Sequence, residues 1–128
     1  MNSLEAQLPD PTKIIFILDI LKNNGRIDLQ IDVSRVYNFV KDIGKNGIIF
    51  DYDEDDEYKI EDKLFNSVMN IDIVNLEKDE IIKRSNGDQL EFNSKAEKIV
   101  GDLKVKYKLD YEYIKKLIYE NPIFNTLS

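Results

Sequence analysis

Carboxylates crowd one short stretch of this 128-residue chain, residues 51–62, which read "DYDEDDEYKIED" and are called the acidic segment here. The acidic segment holds eight acidic residues and one lysine. Four of its aspartates fall at positions 1, 3, 5 and 12 of a calcium-binding loop: Asp51, Asp53, Asp55 and Asp62. Such a loop needs glycine at position 6 and a bidentate glutamate at position 12, whereas Asp56 and Asp62 stand there. A calcium site is therefore the weakest of three interpretations, and we predict no metal.

Two other interpretations of the acidic segment stay open. Acidic side chains suit the first turn of a helix, because the helix dipole favours negative charge there. They also suit a docking surface for a basic protein partner. The residues predicted for such a surface run from the first aspartate into the following glutamate: Asp51, Asp53, Glu54, Asp55, Asp56 and Glu57.

Composition removes most kinds of catalytic chemistry. The chain has no Cys and no His, so thiolate nucleophiles, imidazole bases and imidazole-ligated metals are excluded. No glycine-rich phosphate loop is present either, and we predict neither an enzyme nor a cofactor. The net charge is −7, and the acidic segment alone accounts for it, since the other residues carry 17 acids and 17 bases. The acidic segment is thus a local patch on a neutral chain.

The distribution of apolar residues bears on the location of the protein. No apolar run approaches the roughly 20 residues that are needed to span a bilayer. The first residues, "MNSLEAQLPDP", lack a basic stretch followed by an apolar one. We expect a cytoplasmic protein without a membrane partner, in which residues 1–11 form a flexible N-terminus.

Helical periodicity predicts three helices in the first part of the chain. The first has Asp10 as its N-cap and Gly25 just past its end. The second has an apolar face from Val33 to Ile43 and ends at Gly44, with Asp28 or Asp32 as its cap, and residues 26–30 before it are either an extended link or a first helical turn. The third, over about residues 56–70, is predicted from apolar residues spaced four, four and three apart: Ile60, Leu64, Val68 and Ile71.

The apolar period then shortens to two, which indicates strands. Residues 80–84 and 89–93 should pair antiparallel around a turn at Asn86-Gly87, and residues 71–76 offer a third strand. "SKAE" at 94–97 resembles a capping box, in which Ser94 and Glu97 satisfy each other's backbone N–H groups. A last helix should begin with Asp110 as its cap and end before Pro122.

Three helices, a tight hairpin and a further helix resemble the order of a winged helix-turn-helix domain. The stretch "GDQLEFNSKAEKIV" is similar to the place where the wing of such domains leads into a helix. The segment "DEYK" at 56–59 also resembles, through Tyr58, the YwgA-like group of uncharacterised winged-helix proteins. The resemblance implies an α+β fold of winged-helix type over residues 12–105, followed by a C-terminal helix within 106–128.

The winged-helix resemblance implies two alternative functions. One is a regulator that binds nucleic acid through the basic wing and the helix after it, with Lys83, Arg84, Lys95 and Lys98 on the phosphates. The other is an interaction module that does not bind DNA and docks a basic partner on the acidic segment. The C-terminal helix carries an apolar stripe of Tyr111, Ile114, Leu117, Ile118 and Phe124, from which we expect a homodimer.

Overall fold

The computed structural model describes residues 8–23, 31–44, 50–85 and 89–120, and shows a mixed α+β chain over these ranges. It therefore confirms the predicted α+β class. The helices are α1 Asp10–Asn23, α2 Val33–Gly44, α3 Ser67–Lys78, α4 Glu97–Lys106 and α5 Lys108–Tyr119. The strands are β1 Glu57–Ile60, β2 Lys63–Asn66, β3 Ile82–Ser85 and β4 Gln89–Phe92, and two short 3-10 helices span Glu54–Asp56 and Ser94–Ala96.

Helix α1 forms the centre of the hydrophobic core. All of its residues from 12 to 21 are buried, and α1 contacts α3, α4 and α5. A helix that is buried on several sides needs apolar residues around most of its circumference, and "IIFILDIL" supplies them. The helix begins at Asp10 itself, one residue earlier than predicted, and the predicted end at Gly25 lies outside the described residues.

The second hairpin, β3–β4, confirms the predicted pairing and is tied to the beginning of α2. Lys83 lies opposite Glu91 in this antiparallel pair. The Leu90 N–H donates to the Ile31 carbonyl over 2.8 Å, next to an isolated bridge between residues 32 and 89. Asp32 also caps α2, as predicted, because its carboxylate accepts from the Arg35 N–H at 2.8 Å. The turn residues Asn86-Gly87 lie outside the described ranges.

The predicted third helix over residues 56–70 is wrong. Residues 57–66 form the first hairpin instead, with Ile60 opposite Lys63, and the helix begins only at Ser67. Glu61 in the intervening turn has a φ of 53°, which a two-residue hairpin turn requires and a helix excludes. The four-residue spacing of Ile60 and Leu64 therefore does not mark a buried helical face, because Ile60 is 57% exposed.

Three smaller predictions are also wrong. Residues 71–76 belong to helix α3 and not to a strand, since Met69, Ile73 and Leu76 are buried on one helical face. The predicted capping box at 94–97 does not form, because Asn93 caps the 3-10 helix through the Lys95 N–H and α4 has no side-chain cap. Asp110 lies within the first turn of α5, which begins at Lys108 without a side-chain cap.

The C-terminal helix α5 packs on α1. Tyr111, Ile114 and Ile118 of its apolar stripe are buried within the chain, and the Tyr111 ring meets Phe16 edge-on at 5.1 Å between centroids. The homodimer stays a prediction, although these three side chains are already covered by the chain itself. No helix in the described ranges is long and apolar enough to cross a membrane.

Three tyrosine hydroxyls donate to carboxylates that are distant in the sequence. Tyr37 donates to Glu57 at 2.5 Å, Tyr52 to Asp72 at 2.6 Å, and Tyr111 to Asp19 at 2.7 Å. These bonds join α2 to β1, the acidic segment to α3, and α5 to α1. In all three cases burial of the hydroxyl raises the pKa of the tyrosine, and the hydrogen bond to the carboxylate raises it further. The pKa of Tyr37 is raised to about 12.

We expect the protein to lose stability at alkaline pH because of these three tyrosines. A pKa that is raised in the folded state contributes stability below the ordinary value of 10, and that stability is lost as the pH rises towards 12. Urea unfolding from about pH 9 to about pH 12 should show a steep loss, and spectrophotometric titration should show late-ionising tyrosines. In Tyr37→Phe the free energy of unfolding should fall less steeply with pH than in the wild type, whereas Tyr58→Phe, a change on the surface, should leave the slope unchanged. Identical profiles for both variants would contradict this account.

Candidate functional site

The acidic segment is fixed at its beginning by two helices. The Asp51 N–H donates to the Asp10 carboxylate at 2.9 Å, which connects it to the first turn of α1. The Tyr52 ring stacks on Phe50 at 5.5 Å between centroids, and its hydroxyl reaches Asp72 on α3. The backbone of the acidic segment is therefore held against the core at the point where its row of carboxylates begins.

One buried amide, that of Asn66, holds the middle of the acidic segment. Its oxygen accepts from the N–H groups of Val68 and Met69, at 2.9 and 3.2 Å, and so caps α3. Its nitrogen donates to the Tyr37 hydroxyl at 3.2 Å and to the Asp53 carbonyl at 3.0 Å. This side chain is fully buried and makes all four hydrogen bonds that an amide can offer.

Glu57 takes part in the internal framework of the fold. Its carboxylate accepts from the Tyr37 hydroxyl and lies 2.7 Å from the Lys41 ammonium, on α2. The hydrogen bonds from Lys41 and Tyr37 hold the pKa of Glu57 below its usual range. This predicted docking residue is therefore occupied by contacts within the chain.

The carboxylates of Asp53, Glu54 and Asp55 are exposed, and that of Asp56 is half-buried. Asp53 also caps the 3-10 helix by accepting from the Asp55 N–H at 2.9 Å. Among the described residues, no ion pair within 4 Å involves Asp53, Glu54, Asp55 or Asp56. The first hairpin adds two exposed acidic residues at its turn, Glu61 and Asp62. This surface therefore carries carboxylates whose charge is not balanced by a neighbouring base.

Exposed apolar side chains lie on the strand that follows these carboxylates. Ile60 is 57% exposed and Tyr58 is 39% exposed, and both belong to β1. Tyr58 stacks on Phe65 across the hairpin and its hydroxyl accepts from the Asn70 amide of α3. The surface therefore combines negative charge with apolar area.

The calcium pattern is not assembled into a site. The Asp53 carboxylate is engaged in capping, and Asp62 lies beyond strand β1 in the hairpin turn. Within the described ranges, no group of three or more potential ligand side chains is arranged to hold a metal ion. The acids do not begin the predicted α-helix, since Glu54–Asp56 form one short 3-10 helix, capped by Asp53, that leads into β1. The docking surface stays a prediction for this segment.

The residues predicted to bind nucleic acid are interleaved with acids. Lys83 lies 3.4 Å from Glu91, Arg84 lies 2.9 Å from Glu77, and Lys95 lies 3.4 Å from Glu80. Lys98 is exposed on α4, directly after the acidic Glu97. The second hairpin and the beginning of α4 therefore present mixed charge, and not a continuous basic surface.

Sequence reasoning missed the residues that position the acidic segment. Tyr37 and Lys41 were assigned only to a helix, and Asn66 was placed inside one. Asn66 does precede "SVMN", and asparagine before an apolar helical run is a helix-start signal. Nothing in the local sequence pointed to the bonds of Tyr37, because its partners lie 20 and 29 residues away.

Comparisons of this chain with protein-family models, with curated proteins and with solved structures found no match. Its function has to be inferred from the geometry and charge of the described residues.

We expect Asn66→Ala to lower the free energy of unfolding by about 2–4 kcal/mol. The substitution removes the cap of α3 and leaves the Tyr37 hydroxyl and the Asp53 carbonyl without their donor. Asn75→Ala, an exposed site on the same helix, is the matched control and should change stability by less than about 0.5 kcal/mol. Urea unfolding measures both, and equal effects would contradict the central place given to Asn66.

Proposed function

We propose that this protein is an interaction module of winged-helix type that docks a basic segment of another protein on its acidic segment. The observation that carries the proposal is the set of exposed carboxylates at residues 53–55, which form no ion pair with any described residue and are held on a framework of buried hydrogen bonds. A charged surface that is fixed in this way loses little conformational entropy when a partner binds.

The order of elements supports the winged-helix type. Helices α1, α2 and α3 precede the second hairpin, and α4 follows it. The bond from Leu90 to Ile31 fastens that hairpin to the beginning of α2, as expected of a wing packed on its helical core. The first hairpin is an addition to this order, between α2 and α3, and it carries the last part of the acidic segment.

Charge supports a basic partner. Net negative charge within so few residues produces mutual repulsion, which an oppositely charged surface relieves. The exposed Ile60 and Tyr58 supply apolar area beside the acids. A basic segment with apolar residues on one side complements both features, since charge steers the encounter and buried apolar area adds affinity.

The test neutralises the four acids around the 3-10 helix: Asp53→Asn, Glu54→Gln, Asp55→Asn and Asp56→Asn. The probe is a synthetic amphipathic peptide rich in lysine, and stopped-flow fluorescence measures its association. We expect the association rate to fall about tenfold or more, and wild-type binding to weaken with added salt. Stability should stay unchanged or rise, because repulsion is relieved and asparagine still caps at residue 53.

The matched control changes net charge equally but at exposed acids outside the acidic segment: Asp79→Asn, Asp102→Asn, Glu112→Gln and Glu120→Gln. This control should keep most of the association rate. If both quadruple variants lose binding equally, only the overall charge of the protein matters, and the docking surface is refuted.

A second candidate function is nucleic-acid binding through the second hairpin and α4. The supporting observation is exposure: the Lys83 and Lys95 side chains are 60% and 74% exposed, in ion pairs of 3.4 Å that contribute little stability. Phosphates could replace the carboxylates in such pairs, although the mixed charge of this surface makes this candidate the weaker one.

Electrophoretic mobility shift on random duplex DNA at low salt tests the second candidate. If phosphates are bound there, Lys83→Gln with Lys98→Gln should weaken binding and lower the salt slope by about one for each phosphate-binding lysine that is replaced. Lys59→Gln with Lys63→Gln, both at exposed positions of the first hairpin, should have no effect. Absence of a shift for the wild-type protein at low salt would exclude this function and favour the docking of a basic protein.

A further inference from the structure

A cleft of about 620 Å³ opens between the last turns of α1, the end of β4 and helix α4. Its volume lies in the range of small-molecule sites. The cleft is remote in sequence from the acidic segment and takes no part in the function proposed above. One end is formed by Asp19 and Lys104, and the residues around Phe92 form part of its wall.

The Asp19 end of the cleft is already satisfied within the chain. The Asp19 carboxylate accepts from Asn23 at 2.9 Å and from Tyr111 at 2.7 Å, and the Lys104 ammonium lies 3.1 Å away. A ligand would therefore add little at this carboxylate, although the Lys104 ammonium keeps further N–H groups for a polar atom. This end of the cleft is therefore held together by contacts within the chain.

Two other charged residues line the cleft, Lys22 on α1 and Glu97 on α4. The Lys22 ammonium lies 5.7 Å above the centroid of the Phe92 ring. Within the described part of the chain, neither Lys22 nor Glu97 takes part in an ion pair. The cleft therefore offers one unneutralised positive and one unneutralised negative group, next to an aromatic ring.

Gly101 lines the cleft without a side chain. Glycine in the interior of a helix costs stability relative to alanine. Nothing lies within 4 Å of the Cβ that another residue would place at 101, so packing does not require glycine there. Gly101 lines the cleft beside the buried Val100, so the absence of a side chain leaves room for a ligand.

We propose that this cleft binds a free α-amino acid. Its ammonium group would pair with Glu97 and its carboxylate with Lys22, and its side chain would lie along Phe92, Val100 and Gly101. Lys22 and Glu97 are both exposed, and a zwitterion can pair with both of them, whereas a simple anion or cation can pair with only one.

The probes are free L-phenylalanine and L-leucine, each with its N-acetyl and its carboxamide derivative. Titration of the ¹⁵N-labelled full chain, followed by NMR, should show saturable shifts at residues 92–94 and 97–104 for the free amino acids. Each derivative lacks one charge and should bind about tenfold or more weakly, because a charge-assisted hydrogen bond is lost.

The variants separate the cleft from the rest of the surface. Gly101→Leu should abolish binding because its side chain would occupy the space of the ligand, whereas Gly101→Ala should still bind. Glu97→Gln, an exposed change that leaves the core untouched, should reduce affinity for the free amino acid but not for the N-acetyl derivative, and it serves if the leucine variant does not fold. The proposal is overturned if no standard amino acid binds saturably at low millimolar concentration, or if the blocked derivatives bind as well as the free forms.

Discussion

The hydrogen bonds of the Asn66 amide are the constraint on which the surroundings of the acidic segment depend. This side chain ends β2, starts α3, contacts α2 through Tyr37 and holds the backbone of the acidic segment through Asp53. A buried amide must find partners for both its donor and its acceptor groups, since each unsatisfied group costs free energy. With all four bonds made, Asn66 fixes three elements and the acidic segment in one arrangement.

Tyrosine hydroxyls connect parts of this chain that are far apart in the sequence. The chain has neither histidine nor cysteine, so imidazole networks and disulfides are not available to it. Tyr37, Tyr52 and Tyr111 each bring a large apolar ring into or beside the core and place a hydroxyl on a carboxylate. Glu57, Asp72 and Asp19 are thereby used internally, whereas Asp53, Glu54 and Asp55 are exposed.

The two hairpins differ in their charge, and this difference separates the two candidate functions. The second hairpin pairs Lys83 with Glu91 and Arg84 with Glu77, so these basic residues are matched by acids. The first hairpin and the residues before it expose carboxylates beside Ile60 and Tyr58. Over the described residues, the first of these surfaces carries the carboxylates that lack a basic neighbour within 4 Å, and for this reason we propose docking there.

Several elements could be predicted from the sequence because their signals are local. The helical stripe of α1 and the pairing on either side of residues 86–88 were predicted, and Asp32 was one of two residues predicted to cap α2, because periodicity, capping and turn chemistry act within a few residues. The clustering of acids at residues 51–62 was also plain, and with it the charge of the candidate site.

The way in which those acids are presented depends on contacts between elements that are distant in the sequence. Residues 57–66 have apolar spacing compatible with a helix, and the hairpin prevails because Phe65 and Asn66 become buried against the core while Glu61 turns the chain. Which carboxylates are used internally depends on partners that lie 20 or more residues away, such as Tyr37 for Glu57. Such contacts leave no periodic trace in the sequence, because they depend on how separate elements pack and not on the spacing within any one of them.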